Sequence, residues 1–182
     1  KKLLILLFSI FFLSSPSVFA DDISDFEIEG ISIGDSLLDY MTEDEILKEI
    51  ELRKDYYYYF NEPNKYAEVY LFKDFSTYKD GLSFFVKNNS TNQYVVNKNE
   101  KFTILGIRGL IKYVEDYEGC IQKRDEIEEV VSSMFSNAQK REVIFAKPED
   151  PSGNSIKDDI YFDFDSGGMI ELSCDNLEES YR

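Results

Sequence analysis

Hydrophobic positions along this chain change period several times, and each change marks an element. Phe26-Glu27-Ile28-Glu29 alternates apolar with polar, the two-residue period of a strand with one buried face. Gly34-Asp35 reads as a helix start, with Asp35 as N-cap of a short turn through Leu37, Leu38 and Tyr40. Thr42-Glu43-Asp44-Glu45 has capping-box spacing, in which the Thr oxygen and the Glu carboxylate each take an otherwise unpaired N–H. The helix it opens is predicted to reach about Lys54, with Ile46, Leu47 and Ile50 on one face. Aromatic and β-branched residues then crowd into short runs: Tyr56 to Phe60, Tyr66 to Phe72, Leu82 to Val86, Tyr94 to Val96 and Phe102 to Tyr113. Turn-formers separate them at Asn61 to Asn64, Lys79-Asp80-Gly81 and Lys87 to Thr91, so the runs are predicted to form an antiparallel meander.

Helical period returns at Ile127, Val130, Val131, Met134 and Phe135, a broad apolar stripe that Cys120 extends seven residues earlier. Glu142 to Ala146 reads as another strand, followed by a loop from Pro148 to Asn154. A hairpin closes the chain. Ile160, Phe162 and Phe164 share one face, Ile170, Leu172 and Cys174 share that of the returning strand, and Asp165-Ser166-Gly167-Gly168 turns between them. The sum is an α+β fold: an antiparallel sheet, meander plus C-terminal hairpin, with two or three helices packed on one face. Neither a repeat nor a long linker is visible, and residues 21–182 are read as one domain.

Residues 1–20 belong to a different class. Lys1-Lys2 precede an apolar run from Leu3 to Leu13 that only Ser9 interrupts; Ser14 to Ser17 ends it, and Val18-Phe19-Ala20 has cleavage-site chemistry. That is a secretory leader cut after Ala20, too short for the roughly 20 apolar residues of a membrane span. Asp21 follows the cut, so no lipid-bearing cysteine stands there. A soluble periplasmic or secreted protein with no stable membrane insertion is the expectation.

Charge narrows the partners. The chain holds 20 basic and 36 acidic residues, a formal charge of −16, and the leader contributes two lysines and no acid, leaving 18 basic against 36 acidic side chains. Nucleic acid and anionic lipid are bound mainly through Lys and Arg, so neither is an expected partner; an unknown protein or small ligand is. Histidine is absent altogether, which removes the commonest base near neutral pH and the commonest metal ligand. The two cysteines, Cys120 and Cys174, both fall on predicted core faces, one on a helix and one on a strand, and are expected to form a disulfide. No cofactor is implied.

Three serine motifs carry possible chemistry. Gly34-Asp35-Ser36-Leu37 resembles the signature of the GDSL-type hydrolases, which implies Ser36 as nucleophile. That family also draws on a late Asp-x-x-His and a Gly-x-Asn-Asp block, both absent here, and a serine hydroxyl needs an adjacent base. Gly30-Ile31-Ser32-Ile33-Gly34 matches the nucleophile-elbow spacing, and Asp165-Ser166-Gly167-Gly168 is similar to a serine-protease loop, again without histidine. Asp163 and Asp165, with Gly168 at the sixth position, open like a calcium loop, but Cys174 stands where the bidentate Glu belongs. Tyr56 to Phe60 is the densest aromatic run. Strand alternation would put Tyr57 and Tyr59 on one side as a recognition shelf of rigid apolar area with polar tips.

The segment Phe26 to Tyr40, followed by Thr42 to Ile46, resembles the start of exported, uncharacterised proteins of AT-rich marine alphaproteobacteria of the Pelagibacter type. The resemblance implies export and brings no activity. Helices placed before a sheet are also similar to the small envelope-assembly proteins of the BamE type, which carry a lipidated cysteine. The reading reached from sequence is a non-enzymatic binding or interaction module using its sheet surface. The alternative is a hydrolase using Ser36 or a carboxylate pair.

Overall fold

A computed structural model describes residue 23 and residues 26–54, 65–88 and 100–179. The expected leader, the run Tyr56 to Phe60 with Tyr57 and Tyr59, and the strand Tyr94 to Val96 lie outside the described residues.

Within residues 26–54 the first elements are a hairpin, β1 (Glu27–Ile28) and β2 (Ile31–Ser32), in place of the single strand expected. Its two-residue turn, Glu29-Gly30, has φ of 54° and 77°, the left-handed pair that suits the twist of a tight hairpin. A one-turn helix, Leu37–Asp39, precedes α1 (Glu43–Arg53). Thr42 and Glu45 form the expected capping box: Glu45 N–H donates to Thr42 Oγ1 at 3.3 Å and Thr42 N–H to Glu45 Oε2 at 2.9 Å. Strands β3 (Tyr66–Leu71), β4 (Leu82–Lys87) and β5 (Thr103–Gly109) then make an antiparallel meander. A bulge falls between Phe85 and Val86, where Leu105 is the inserted residue and is left exposed. β5 stops at Gly109, earlier than its composition suggests, at a position where a Cβ would stand 2.1 Å from the Tyr78 ring.

The second half repeats that order with new elements: α2 (Tyr117–Met134), then β6 (Gln139–Ala146), β7 (Ile156–Asp163) and β8 (Met169–Asn176), again a three-stranded antiparallel meander. The strands therefore belong to two separate sheets, and the terminal hairpin takes β6 as its third strand. α1 packs on β3, and α2 packs on β8, so each of the two helices serves its own sheet.

Each half has its own apolar cluster. Ile46, Val69, Leu82, Phe84, Val86, Phe102 and Ile104 fill the first, all fully buried. Val131, Phe135, Ile160, Phe162, Phe164 and Ile170 fill the second. Phe135 stands edge-on to Phe164 at 5.0 Å and to Phe26 at 5.9 Å, so a residue from the start of the described chain completes the second core. Ile23 joins it, packed where Gly168 leaves room. One position of the expected α2 stripe fails: Val130 is 56% exposed, because the helix presents Ile127, Val131 and Met134 to the sheet and turns Val130 away.

Cys120 and Cys174 are bonded, their Cα atoms 6.0 Å apart, tying the first turn of α2 to β8. In chain-entropy terms, closing a loop of this length contributes about 4 kcal/mol. The double variant Cys120→Ser/Cys174→Ser is expected to lose about that much stability in urea denaturation. Phe84→Ala, on the central strand of the first sheet, is expected to cost about 3–5 kcal/mol by the same measurement.

Candidate functional site

The hydrolase-like segment is built into the first sheet's edge. Gly34 N–H donates to Ile104 O at 2.8 Å, Ile104 N–H to Asp35 O at 2.8 Å, and Leu37 N–H to Phe102 O at 3.1 Å, with Ser36 bridging antiparallel to Thr103. This pairing satisfies backbone groups that β5 would otherwise leave open. Ser36, not Asp35, is the N-cap of the one-turn helix: its Oγ accepts from Leu38 N–H at 3.4 Å while its hydroxyl donates to Lys101 O at 2.9 Å. Ser36 is 3% exposed, its hydroxyl engaged with these backbone groups. The Asp35 carboxylate instead accepts from Ser32 N–H at 3.1 Å and the Tyr40 hydroxyl at 2.6 Å. Burial, and then this bond and the charge of Asp35, push the Tyr40 phenol up to about 12. Ser32 sits in the β1–β2 hairpin, outside any strand-turn-helix elbow.

The calcium-like pair is split. Asp163 on β7 accepts from Arg141 Nε at 2.7 Å, and Asp165 lies exposed in the hairpin turn, where Gly167 has φ 88°. Among the described residues, no three His, Cys, Asp or Glu side chains converge as a metal set.

Two carboxylates that the sequence reading passed over act as backbone clamps. Glu29, in the left-handed turn position, accepts from Thr77 N–H at 2.7 Å and from the Ser76 hydroxyl at 2.9 Å. The Thr77 N–H is the largest cause of a carboxyl held below its usual range. Asp150 accepts from Ser152 N–H at 2.9 Å, Ser152 Oγ at 2.8 Å and Ser155 N–H at 2.9 Å. Its bond with the Ser155 side chain heads the causes that hold it far below the carboxylate range, and Asp-Pro-Ser-Gly was the readable sign of such a turn.

Each sheet also has a face turned away from its apolar cluster. On the first sheet, Tyr66, Glu68 and Tyr70 alternate with the buried Ala67 and Val69. Tyr66 stacks on Phe85 at 5.5 Å and Tyr70 on Phe72 at 6.0 Å. Arg53 lies over the Tyr70 ring at 3.9 Å, and Arg108 reaches Glu68 at 3.8 Å. Burial, then the charge of Glu68, raises the Tyr70 phenol. Phe72 is 65% exposed, so the shelf has an open end. The sequence carried this signal as strict alternation from Tyr66 to Leu71, which the denser Tyr56 to Phe60 run overshadowed.

On the second sheet the equivalent face is an ionic lattice. Asp159, fully buried, takes the Tyr161 hydroxyl at 2.7 Å and Lys157 Nζ at 3.1 Å on Oδ2. Burial opposes its ionisation, yet contacts with Ser173, Tyr161 and Lys157 outweigh that and hold its carboxyl below the usual range. Lys157 also pairs with Glu171, and Arg141 lies over the Tyr161 ring at 3.8 Å. These groups are engaged with one another, although Asp159 Oδ1 is buried with no hydrogen-bond partner among the described residues, whereas the first sheet leaves Phe72 open.

Comparison with protein-family models, curated proteins and solved structures finds no match to this chain. Among the described residues, no helix is long and apolar enough to cross a membrane.

Ser36→Ala is expected to cost about 1–2 kcal/mol in urea denaturation, through the lost cap and an unpaired Lys101 carbonyl, and fluorophosphonate probes are expected to leave the wild-type chain unlabelled. Glu29 and Asp150 bind protons less readily folded than unfolded. Their stabilisation is therefore complete above the unfolded carboxylate range and is lost as pH falls toward their lower folded values. The melting temperature is expected to fall below about pH 4. Asp150→Asn is expected to lower it at neutral pH and to flatten that acid fall.

Proposed function

We propose that this chain is an exported, non-enzymatic binding module that takes a partner protein or small ligand on the outer face of the β3–β4–β5 sheet. The observation that carries the reading is the pair of stacked rings, Tyr66 on Phe85 and Tyr70 on Phe72, with Arg53, Arg108 and Glu68 set among them on one face. Rigid rings supply apolar contact at small entropic cost, and the charged groups beside them fix orientation. Cations laid over rings suit a ligand offering carboxylate, hydroxyl or amide groups beside a flat apolar surface. The bonded cysteines and the leader-like residues 1–20 support placement in an oxidising compartment outside the cytoplasm. The commitment of the Ser36 hydroxyl to backbone partners supports the non-enzymatic reading over hydrolysis.

Crosslinking in the native envelope is expected to give one stoichiometric adduct. The double substitution Tyr70→Ser/Phe72→Ser is expected to abolish it with the circular dichroism spectrum unchanged. Tyr57→Ser/Tyr59→Ser run alongside tells whether the neighbouring aromatic run shares the task. An adduct that survives both pairs of substitutions sinks the proposal.

A further inference from the structure

β6 differs from the other strands in having all eight of its residues exposed. Among the described residues it is joined on one side only, to β7, in an unbroken register from Gln139–Asp163 to Ala146–Ile156, with no bulge, proline or glycine in the strand. Such an edge is a template for another strand, and proteins usually blunt it with charge, a bulge or a covering segment. β5 has its cover in residues 34–37. β6 has charge along its first half only. Lys140 bonds Glu128 and Glu142, and Arg141 bonds Asp163. Its second half exposes Val143 by 37%, Ile144 by 65% and Phe145 by 37%.

We infer that β6 pairs antiparallel with the β6 strand of a second copy of this chain, giving a two-fold dimer with a continuous six-stranded sheet. Two observations favour a second copy over a foreign strand. The basic groups of this edge are each matched by a carboxylate of their own chain, with Lys147 on Asp175 completing the set, so they are not held ready for an acidic peptide. Elsewhere the surface is strongly acidic, as along α2, where Asp116, Glu118, Asp125, Glu126 and Glu129 line one groove. The locally neutral β6 edge is thus a place where two chains of charge −16 can approach.

Register follows from symmetry. An axis normal to the sheet pairs residues of the same parity, because their side chains must share a face. Centring on Glu142 sets two carboxylates against each other. Centring on Ile144 opposes Arg141 to Lys147. Centring on Val143 opposes Glu142 to Ile144, Arg141 to Phe145 and Lys140 to Ala146, so that no like charges meet and residues 140–146 are all paired.

The test uses the purified, disulfide-intact protein in sedimentation equilibrium. A dimer is expected, tighter at high than at low salt because screening reduces the repulsion of two acidic bodies. Val143→Lys, which sets two like charges on the axis, is expected to weaken it by more than ~10-fold with the melting temperature retained. Val143→Cys is expected to crosslink two copies under mild oxidation, since residues opposed in an antiparallel pair lie about 4.5–5.5 Å apart, within disulfide reach. Met169→Cys, exposed on the far strand, is expected not to. A monomer at every concentration, a dimer indifferent to Val143→Lys, or equal crosslinking from Met169→Cys overturns the inference.

Discussion

A single helix laid on a three-stranded sheet buries one face of that sheet and leaves the other to be dealt with by side-chain chemistry. This chain meets the constraint twice. In the first half α1 and the hairpin segment close over Ile46, Val69, Phe84 and Ile104. In the second, α2 closes over Phe135, Ile160 and Phe162. The faces left over are treated differently: rings and interspersed charges on the first sheet, an ionic lattice around the buried Asp159 on the second. Rings on the first face lose little by meeting a ligand, whereas breaking into the lattice would strand a buried carboxylate.

The same constraint explains the short N-terminal motifs. A three-stranded sheet has two edges, and Gly34 to Leu37 closes one of them with backbone bonds while Ser36 caps the next turn. Glu29 accepts the cost of a left-handed backbone because its carboxylate there gathers the N–H groups of Thr77 and its neighbours. The residues that spell a hydrolase signature thus each hold a place in the turn and edge geometry.

Local periodicity made much of this legible. The capping box at Thr42, the 3.6-residue stripe of α2, the terminal hairpin and the bridge between Cys120 and Cys174 all follow from patterns within a few residues or from cysteine arithmetic. Patterns of that kind do not report which strands share a sheet. One meander and a division into two meanders present the same alternation, and the difference lies in the turn of the chain between Gly109 and Tyr117. Clamps such as Glu29 to Thr77, made across dozens of residues, leave no local trace either. On the candidate face, alternation from Tyr66 to Leu71 was readable, but the stacking of Tyr66 on Phe85 depends on strand register.

Phe26 beside Phe135 has a kinetic meaning. The first core itself closes a long loop, since Ile31 and Leu37 pack with Phe102 and Ile104 across a stretch that includes three elements. The second core waits for an aromatic ring delivered from about a hundred residues upstream, a contact whose closure entropy must be met before the ring is buried. The N-terminal segment thus belongs to both cores: Ile28 and Ile31 pack in the first, Ile23 and Phe26 in the second, so removing it would open each of them.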